Sequence, residues 1–130
     1  MERPLPILLV DDEEDFLEAT SKRLQRRGFE VRTATRCDQA IREIEAGWRG
    51  VIVLDVMLPD MNGMECLRVI KGAAPRLPVV MLTAHASLEA GLQGIAQGAS
   101  DYCLKPIELE ELVEKILIAA ESAGMATARP

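Results

Sequence analysis

The stretch Val51-Ile52-Val53-Leu54-Asp55-Val56-Met57-Leu58-Pro59-Asp60-Met61-Asn62-Gly63 decides how the rest of the chain is read. Its first four residues are apolar without interruption, which fits a strand covered on both faces, as in a parallel sheet. The run stops on a carboxylate, Asp55. Leu58 to Gly63 then carry strong turn chemistry, and Met64, Leu67 and Ile70 follow at helical spacing. An apolar strand thus hands over to a helix through a loop that begins at an acid.

The same unit recurs on either side. Ile7–Val10 is a second continuous apolar run, followed by Phe16, Leu17, Thr20 and Leu24 at helical spacing and by Gly28 as a stop. Glu30–Ala34 reads as a strand. Thr35 and Asp38 form a capping arrangement before a helix whose inner face is Ala40, Ile41 and Ile44 and which Gly47 ends. Pro75 and Pro78 bracket a connection to the strand Val79–Leu82. Ser87 is then a cap, and Leu88, Leu92 and Ile95 are a helical face carrying Gly91 and Gly94. Each of these glycines costs about 1 kcal/mol relative to Ala inside a helix, so they mark either close packing or a marginal fourth helix. Asp101–Leu104 is the last strand, and Leu109, Leu112, Val113, Ile116, Leu117 and Ala120 stripe the last helix, with Glu108, Glu110 and Glu111 near its N-terminus. Five strand–helix units in succession predict an α/β fold, a single doubly wound domain with a parallel five-stranded sheet and helices on both faces.

Composition agrees and excludes some functions. The chain has 130 residues, one domain's worth, with 48% hydrophobic and only 3% aromatic residues, so the core is aliphatic. A domain over residues 1–122 is expected, with 123–130 as a C-terminal tail or the start of a linker. The short tail leaves no room for an effector domain, which fits a stand-alone module or, given its Ala, Gly and Thr residues, a fragment of a longer protein. A net charge of −6 argues against direct nucleic-acid binding by this domain. No stretch approaches the roughly 20 apolar residues that span a bilayer, and the run Leu5–Val10 is too short for a signal peptide. Cys37, Cys66 and Cys103 are odd in number and widely spaced, without a CxxC pair or Cys/His cluster for zinc or redox chemistry. Each is expected as a small apolar residue in or near the core, a usage that fits a reducing cytoplasm.

The polar residues carry the chemistry through their placement. Asp11 and Asp12 follow the first strand, Asp55 ends the third, Thr83 follows the fourth and Lys105 the fifth. In a parallel sheet all five lie at the carboxyl edge, where such folds hold their sites. Each alone has a structural explanation, as a cap, a strand end or a solvated charge; their coincidence at one edge does not. Three clustered carboxylates repel unless a cation neutralises them, and hard oxygen ligands suit Mg²⁺. With Lys105 as a second positive charge, the set matches phosphoryl transfer, with Asp55 the nucleophile that becomes an aspartyl phosphate.

These pieces resemble the receiver domain of two-component response regulators over Leu5–Ala120: Val10-Asp11-Asp12-Glu13; Asp55 with Met57-Leu58-Pro59 and Asn62-Gly63; Thr83-Ala84; and Tyr102 with Lys105-Pro106. The resemblance implies a flavodoxin-like strand order 2-1-3-4-5. It implies Asp55 as phosphoacceptor, and Mg²⁺ on Asp12, Asp55, the Met57 backbone carbonyl and, largely through water, Asp11. Lys105 would hold a phosphoryl oxygen, next to an often cis bond to Pro106. Thr83 and Tyr102 would be the switch residues, Thr83 also bonding the phosphoryl group. Met57 and His85, each two residues beyond a site residue, would tune phosphoryl lifetime; His85, without a second base, otherwise reads as a loop residue near the site. The implied partner is a sensor histidine kinase or phosphotransfer protein. The implied output is an effector or homodimer engaged through the surface of the fourth helix, fifth strand and fifth helix. Such a chain is a signalling module rather than an enzyme acting on a separate substrate. Two rivals are a Mg²⁺-dependent phosphatase with an aspartate nucleophile, like the haloacid-dehalogenase-like enzymes, and a receiver-like interaction module that is never phosphorylated. The first would want two acids separated by one residue after strand one and a cap insertion; here Asp11 and Asp12 are adjacent.

Overall fold

The structure, a computed structural model, describes residues 4–84 and 88–125. Strands and helices alternate throughout: β1 Pro6–Val10, α1 Glu14–Arg26, β2 Glu30–Ala34, α2 Cys37–Glu45, β3 Val51–Leu54, α3 Gly63–Ala73, β4 Val79–Thr83, α4 Leu88–Ala96, β5 Asp101–Leu104 and α5 Leu109–Ser122. All strand pairings are parallel, in the order β2-β1-β3-β4-β5. The doubly wound sheet expected from the apolar runs is present, and so is the strand order implied by the resemblance.

The continuous apolar runs are explained by the period of two along a strand. Leu8, Val10, Ile52, Leu54, Val79 and Met81 enter one core, closed by Ala40 and Ile44 of α2 and Leu67 and Ile70 of α3. Ile7, Leu9, Val51, Val53, Val80 and Leu82 enter the other, closed by Leu17 and Leu24 of α1 and Leu112, Val113, Ile116 and Leu117 of α5. The central strands β1, β3 and β4 therefore serve two cores, and no face of them is left for polar residues until the strand ends; the edge strand β2 exposes Glu30, Arg32 and Thr33. After α5 the chain turns at Gly124, whose φ of 76° is left-handed, and the Met125 N–H bonds back to the Ala120 carbonyl. Met125 packs against both cores, so the start of the tail lies on the domain.

Several expectations need correction. The three cysteines are buried, as expected of small apolar residues, but Cys37 and Cys66 are joined in a disulfide across 29 residues, with Cα atoms 5.9 Å apart; Cys103 is free. Spacing gave no hint because α2 and α3 meet only through packing on the same sheet face. The Thr35–Asp38 capping arrangement does not form. The Thr35 N–H and hydroxyl are taken up by Gln39 Oε1, and the first N–H groups of α2, from Cys37 and Asp38, donate to the Asp60 carboxylate in the β3–α3 loop. A long-range acid thus caps this helix. Thr83 is the last residue of β4 rather than the one after it. The expectations for His85 and Ser87, and for the side chains of Leu88 and Leu92, lie outside the described residues. At α4, a Cβ on Gly91 would come within 3.2 Å of the Tyr102 ring, so close packing accounts for that glycine; one on Gly94 would meet Met64 at 3.5 Å, an ordinary contact that does not require glycine.

Candidate functional site

The register of the sheet builds the site. Val10 pairs with Leu54, so Asp11 and Asp55 emerge side by side, and the Asp55 N–H donates to the Val10 carbonyl at 2.9 Å. On the other side Thr83 pairs with Leu104, and the Lys105 N–H donates to the Thr83 carbonyl at 2.8 Å. Lys105 is followed by a cis bond to Pro106. The chain therefore has no freedom to place these residues elsewhere without breaking strand pairing.

Asp11, Asp12 and Asp55 each offer a carboxylate oxygen within 4.8 Å of the others. Asp11 and Asp55 are buried, and Asp12 is exposed. Lys105, with a side chain only 10% exposed, reaches into the cluster: its Nζ donates to Asp11 Oδ2 at 2.5 Å and Glu13 Oε1 at 2.9 Å, and lies 3.7 Å from Asp55 Oδ2. It also sits 4.2 Å from the centroid of the Phe16 ring. Burial alone would lower the Lys105 pKa, but hydrogen bonds to Asp11 and Glu13 together with the Asp11 and Asp55 charges outweigh it and hold the ammonium above its ordinary value. Asp11 is raised, chiefly by burial and further by the Asp55 charge, despite hydrogen bonds from Lys105 and the Glu13 N–H. Lys105 alone does not offset that burden. A divalent cation bound by hard oxygen donors would, and these residues fit one.

The surrounding loops fix the acids. Asp55 Oδ1 accepts the Met57 N–H at 3.3 Å, and Asp11 Oδ1 accepts the Glu13 N–H at 2.9 Å. Met57 is half exposed and bridges to Asn62; Asn62 in turn caps α3 by accepting the Met64 N–H at 2.7 Å. Thr83 is fully buried at the end of β4. Tyr102, half-buried on β5, packs against the α2–α3 core, and burial, then the Asp55 charge, raise its pKa. Asp11, Asp12, Asp55, Met57, Thr83 and Lys105 thus lie at one edge of the sheet, with Tyr102 on the adjoining strand β5.

Four contributors were not singled out. Glu13 and Phe16 were noted only as neighbours in a motif and in a helical stripe, yet both touch Lys105. Asp60 belonged to a turn, yet it caps α2. Gly63 approaches the Asp55 backbone so closely that a Cβ there would stand 2.4 Å from the Asp55 carbonyl oxygen.

A parallel doubly wound sheet with three acids and a lysine at its carboxyl edge defines a class of phosphoryl-accepting domains. Comparison with known proteins makes the class specific. Residues 7–117 match the family model described as the response regulator receiver domain. The chain is 37% identical over 113 residues to the transcriptional regulatory protein TrcR of Mycobacterium tuberculosis, covering 87% of this chain and 44% of that protein. Its fold superimposes with a TM-score of 0.88 on a CheY-like receiver domain from Methanospirillum hungatei JF-1, 31% identical, covering 93% and 97% of the two chains. A TM-score of 0.86 relates it to the beryllofluoride-activated NtrC4 receiver domain dimer, 32% identical, over 91% and 98%. This chain belongs to the response regulator receiver domain family, the phosphorylation-activated switch of two-component signalling. It spans about half or less of the length of the curated relatives it matches.

Proposed function

We propose that Asp55 is the phosphoacceptor of this receiver and that the domain occupies residues 1–122, with 123–130 as a tail or linker start. The observation that carries the reading is the clustering of the Asp11, Asp12 and Asp55 carboxylates at one sheet edge, with the Lys105 ammonium reaching Asp11 and Asp55. A carboxylate oxygen of Asp55 attacks the phosphorus of a phosphohistidine in a sensor kinase or phosphotransfer protein. A new O–P bond forms as the bond to the leaving nitrogen breaks, and that nitrogen keeps the electron pair. Lys105 turns from Asp11 to a phosphoryl oxygen, where it neutralises charge that grows in the transition state. The Thr83 hydroxyl, at the end of the adjoining strand, donates to another. Asp12 and Asp55, the Met57 backbone carbonyl and, through water, Asp11 would hold Mg²⁺, which when bound shields the carboxylates from the incoming phosphoryl oxygens.

Thr83 and Tyr102 are the switch. Drawing Thr83 toward the phosphoryl group frees space behind it, and Tyr102 moves inward, shifting the population of the α4–β5–α5 surface. Among the described residues that surface carries the exposed large apolar side chains Ile95, Leu104 and Ile118. It suits docking to an effector domain or to a second copy. Among the described residues no helix is long and apolar enough to cross a membrane; a sensor-kinase partner favours the cytoplasm, where the Cys37–Cys66 pair would be held as two buried thiols. The chain acts on itself rather than on a separate substrate. Incubation with Mg²⁺ and acetyl phosphate, reductive trapping and mass spectrometry test the assignment. An adduct on Asp55 that is lost in Asp55→Asn is expected; no adduct, or one that survives the substitution, overturns it.

A further inference from the structure

Lysine places its charge on a four-carbon stem, and holding that stem in one geometry costs rotamer entropy. At Lys105 two carboxylates pull on the ammonium from Asp11 and Glu13, and both bonds are directional. The Glu13 side chain is 61% exposed, so its hold is solvent-screened. Asp55 Oδ2 lies farther off, at 3.7 Å. A further neighbour is the Phe16 ring in the first turn of α1, with its centroid 4.2 Å from Nζ. Phe16 is half-buried and packed against the α1–α5 core, which restricts the ring. Its negative face attracts the cation without demanding a direction.

We propose that Phe16 is a positioning residue for phosphoryl transfer at Asp55, its ring face seating the Lys105 ammonium. This rests on the proposed role of Asp55. When Lys105 leaves Asp11 for a phosphoryl oxygen, a directional bond must break before another forms. The ring contact need not break: the ammonium pivots over the ring and keeps one partner throughout. An aliphatic residue at position 16 would fill the same space against α5 and offer no seat for the charge.

The test uses acetyl phosphate with saturating Mg²⁺, whose O–P bond breaks to release acetate as Asp55 is phosphorylated. Phe16→Leu is expected to slow formation of phospho-Asp55 about 3–10-fold, the range a partly desolvated cation–π contact supplies. Phe16→Tyr, which keeps the ring face, is expected to stay within about twofold of the native rate. In a Lys105→Ala background, Phe16→Leu is expected to have no further effect, which a merely structural role would not produce. If the native chain takes no phosphoryl group on Asp55, the site reading itself fails. If it does, and Phe16→Leu matches it, or the loss persists without Lys105, the site reading stands and the Phe16 inference is overturned.

Discussion

Gly63→Ala tests how tightly the β3–α3 loop is packed behind Asp55. The added Cβ would lie 2.4 Å from the Asp55 carbonyl oxygen, 2.5 Å from Val56 Cα and 2.8 Å from the Val56 carbonyl oxygen. Ordinary contact begins near 3.4 Å, so something must move by about 1 Å. All three atoms are backbone, so no side chain can swing away. That backbone is held on one side by the Asp55 N–H on the Val10 carbonyl and on the other by the Gly63 N–H on the Val56 carbonyl. Either α3 loses its first turn or Asp55 shifts against Asp11. Overpacking of this kind costs about 1–3 kcal/mol, and the upper half is expected because the site cannot relax through a rotamer. Gly72→Ala, in the same helix with nothing within 4 Å, is the control and should gain up to about 1 kcal/mol. Urea denaturation of both variants measures the difference. Phosphorylation of Gly63→Ala under native conditions should fall by as much as about 100-fold, since a displacement near 1 Å is enough to spoil alignment. A Gly63→Ala protein as stable as Gly72→Ala, with the native phosphorylation rate, would refute the close-packing argument.

Three further outcomes are expected. Asp60→Ala should lose about 1 kcal/mol, as removal of a helix cap does, read from the urea midpoint at neutral pH. The hydrogen bonds from Cys37 and Asp38 outweigh burial and hold the Asp60 carboxyl below its ordinary value; its stabilisation is therefore full above about pH 4, and is lost as pH falls through the folded-state value. In Asp60→Asn that acid-side loss should shrink, and an unchanged profile counts against the cap. Met57→Asn should speed decay of phospho-Asp55, because the apolar native side chain cannot orient an attacking water; an equal or slower decay rejects this. Denatured without reductant, the chain should show one titratable thiol, Cys103, and after reduction three. The bond across 29 residues should add about 3–4 kcal/mol to stability by restricting the unfolded chain, measured by unfolding with and without reductant.

The legible parts of the fold were those set by local pattern. Val51–Leu54 and Ile7–Val10 announce two-sided burial because every residue enters one core or the other. The first polar residue after each run then falls at the sheet edge, so Asp11, Asp55 and Lys105 could be placed together without coordinates. What escaped depends on which elements meet. Asp60 caps a helix 22 and 23 residues earlier, and the nearer Thr35 loses because Gln39 occupies it. Cys37 meets Cys66 only because α2 and α3 share a sheet face. Glu13 and Lys105 stand 92 residues apart, and the Phe16 contact needs the same closure of α1 onto the end of β5. Local rules locate the charges; topology decides who touches them.

The Asp60 cap has a mechanical consequence. The loop that follows Asp55 is fastened to the start of α2 by one carboxylate holding the N–H groups of Cys37 and Asp38, and Cys37 is bonded in turn to Cys66 of α3, six residues beyond Asp60. One jaw of the phosphorylation cleft is thereby made an anvil. Under the proposed switch, displacement produced by a phosphoryl group would be absorbed by the opposite jaw, through Thr83 and the Tyr102 ring lying against Gly91. A stiff wall of this kind gives the signal a single way out of the domain.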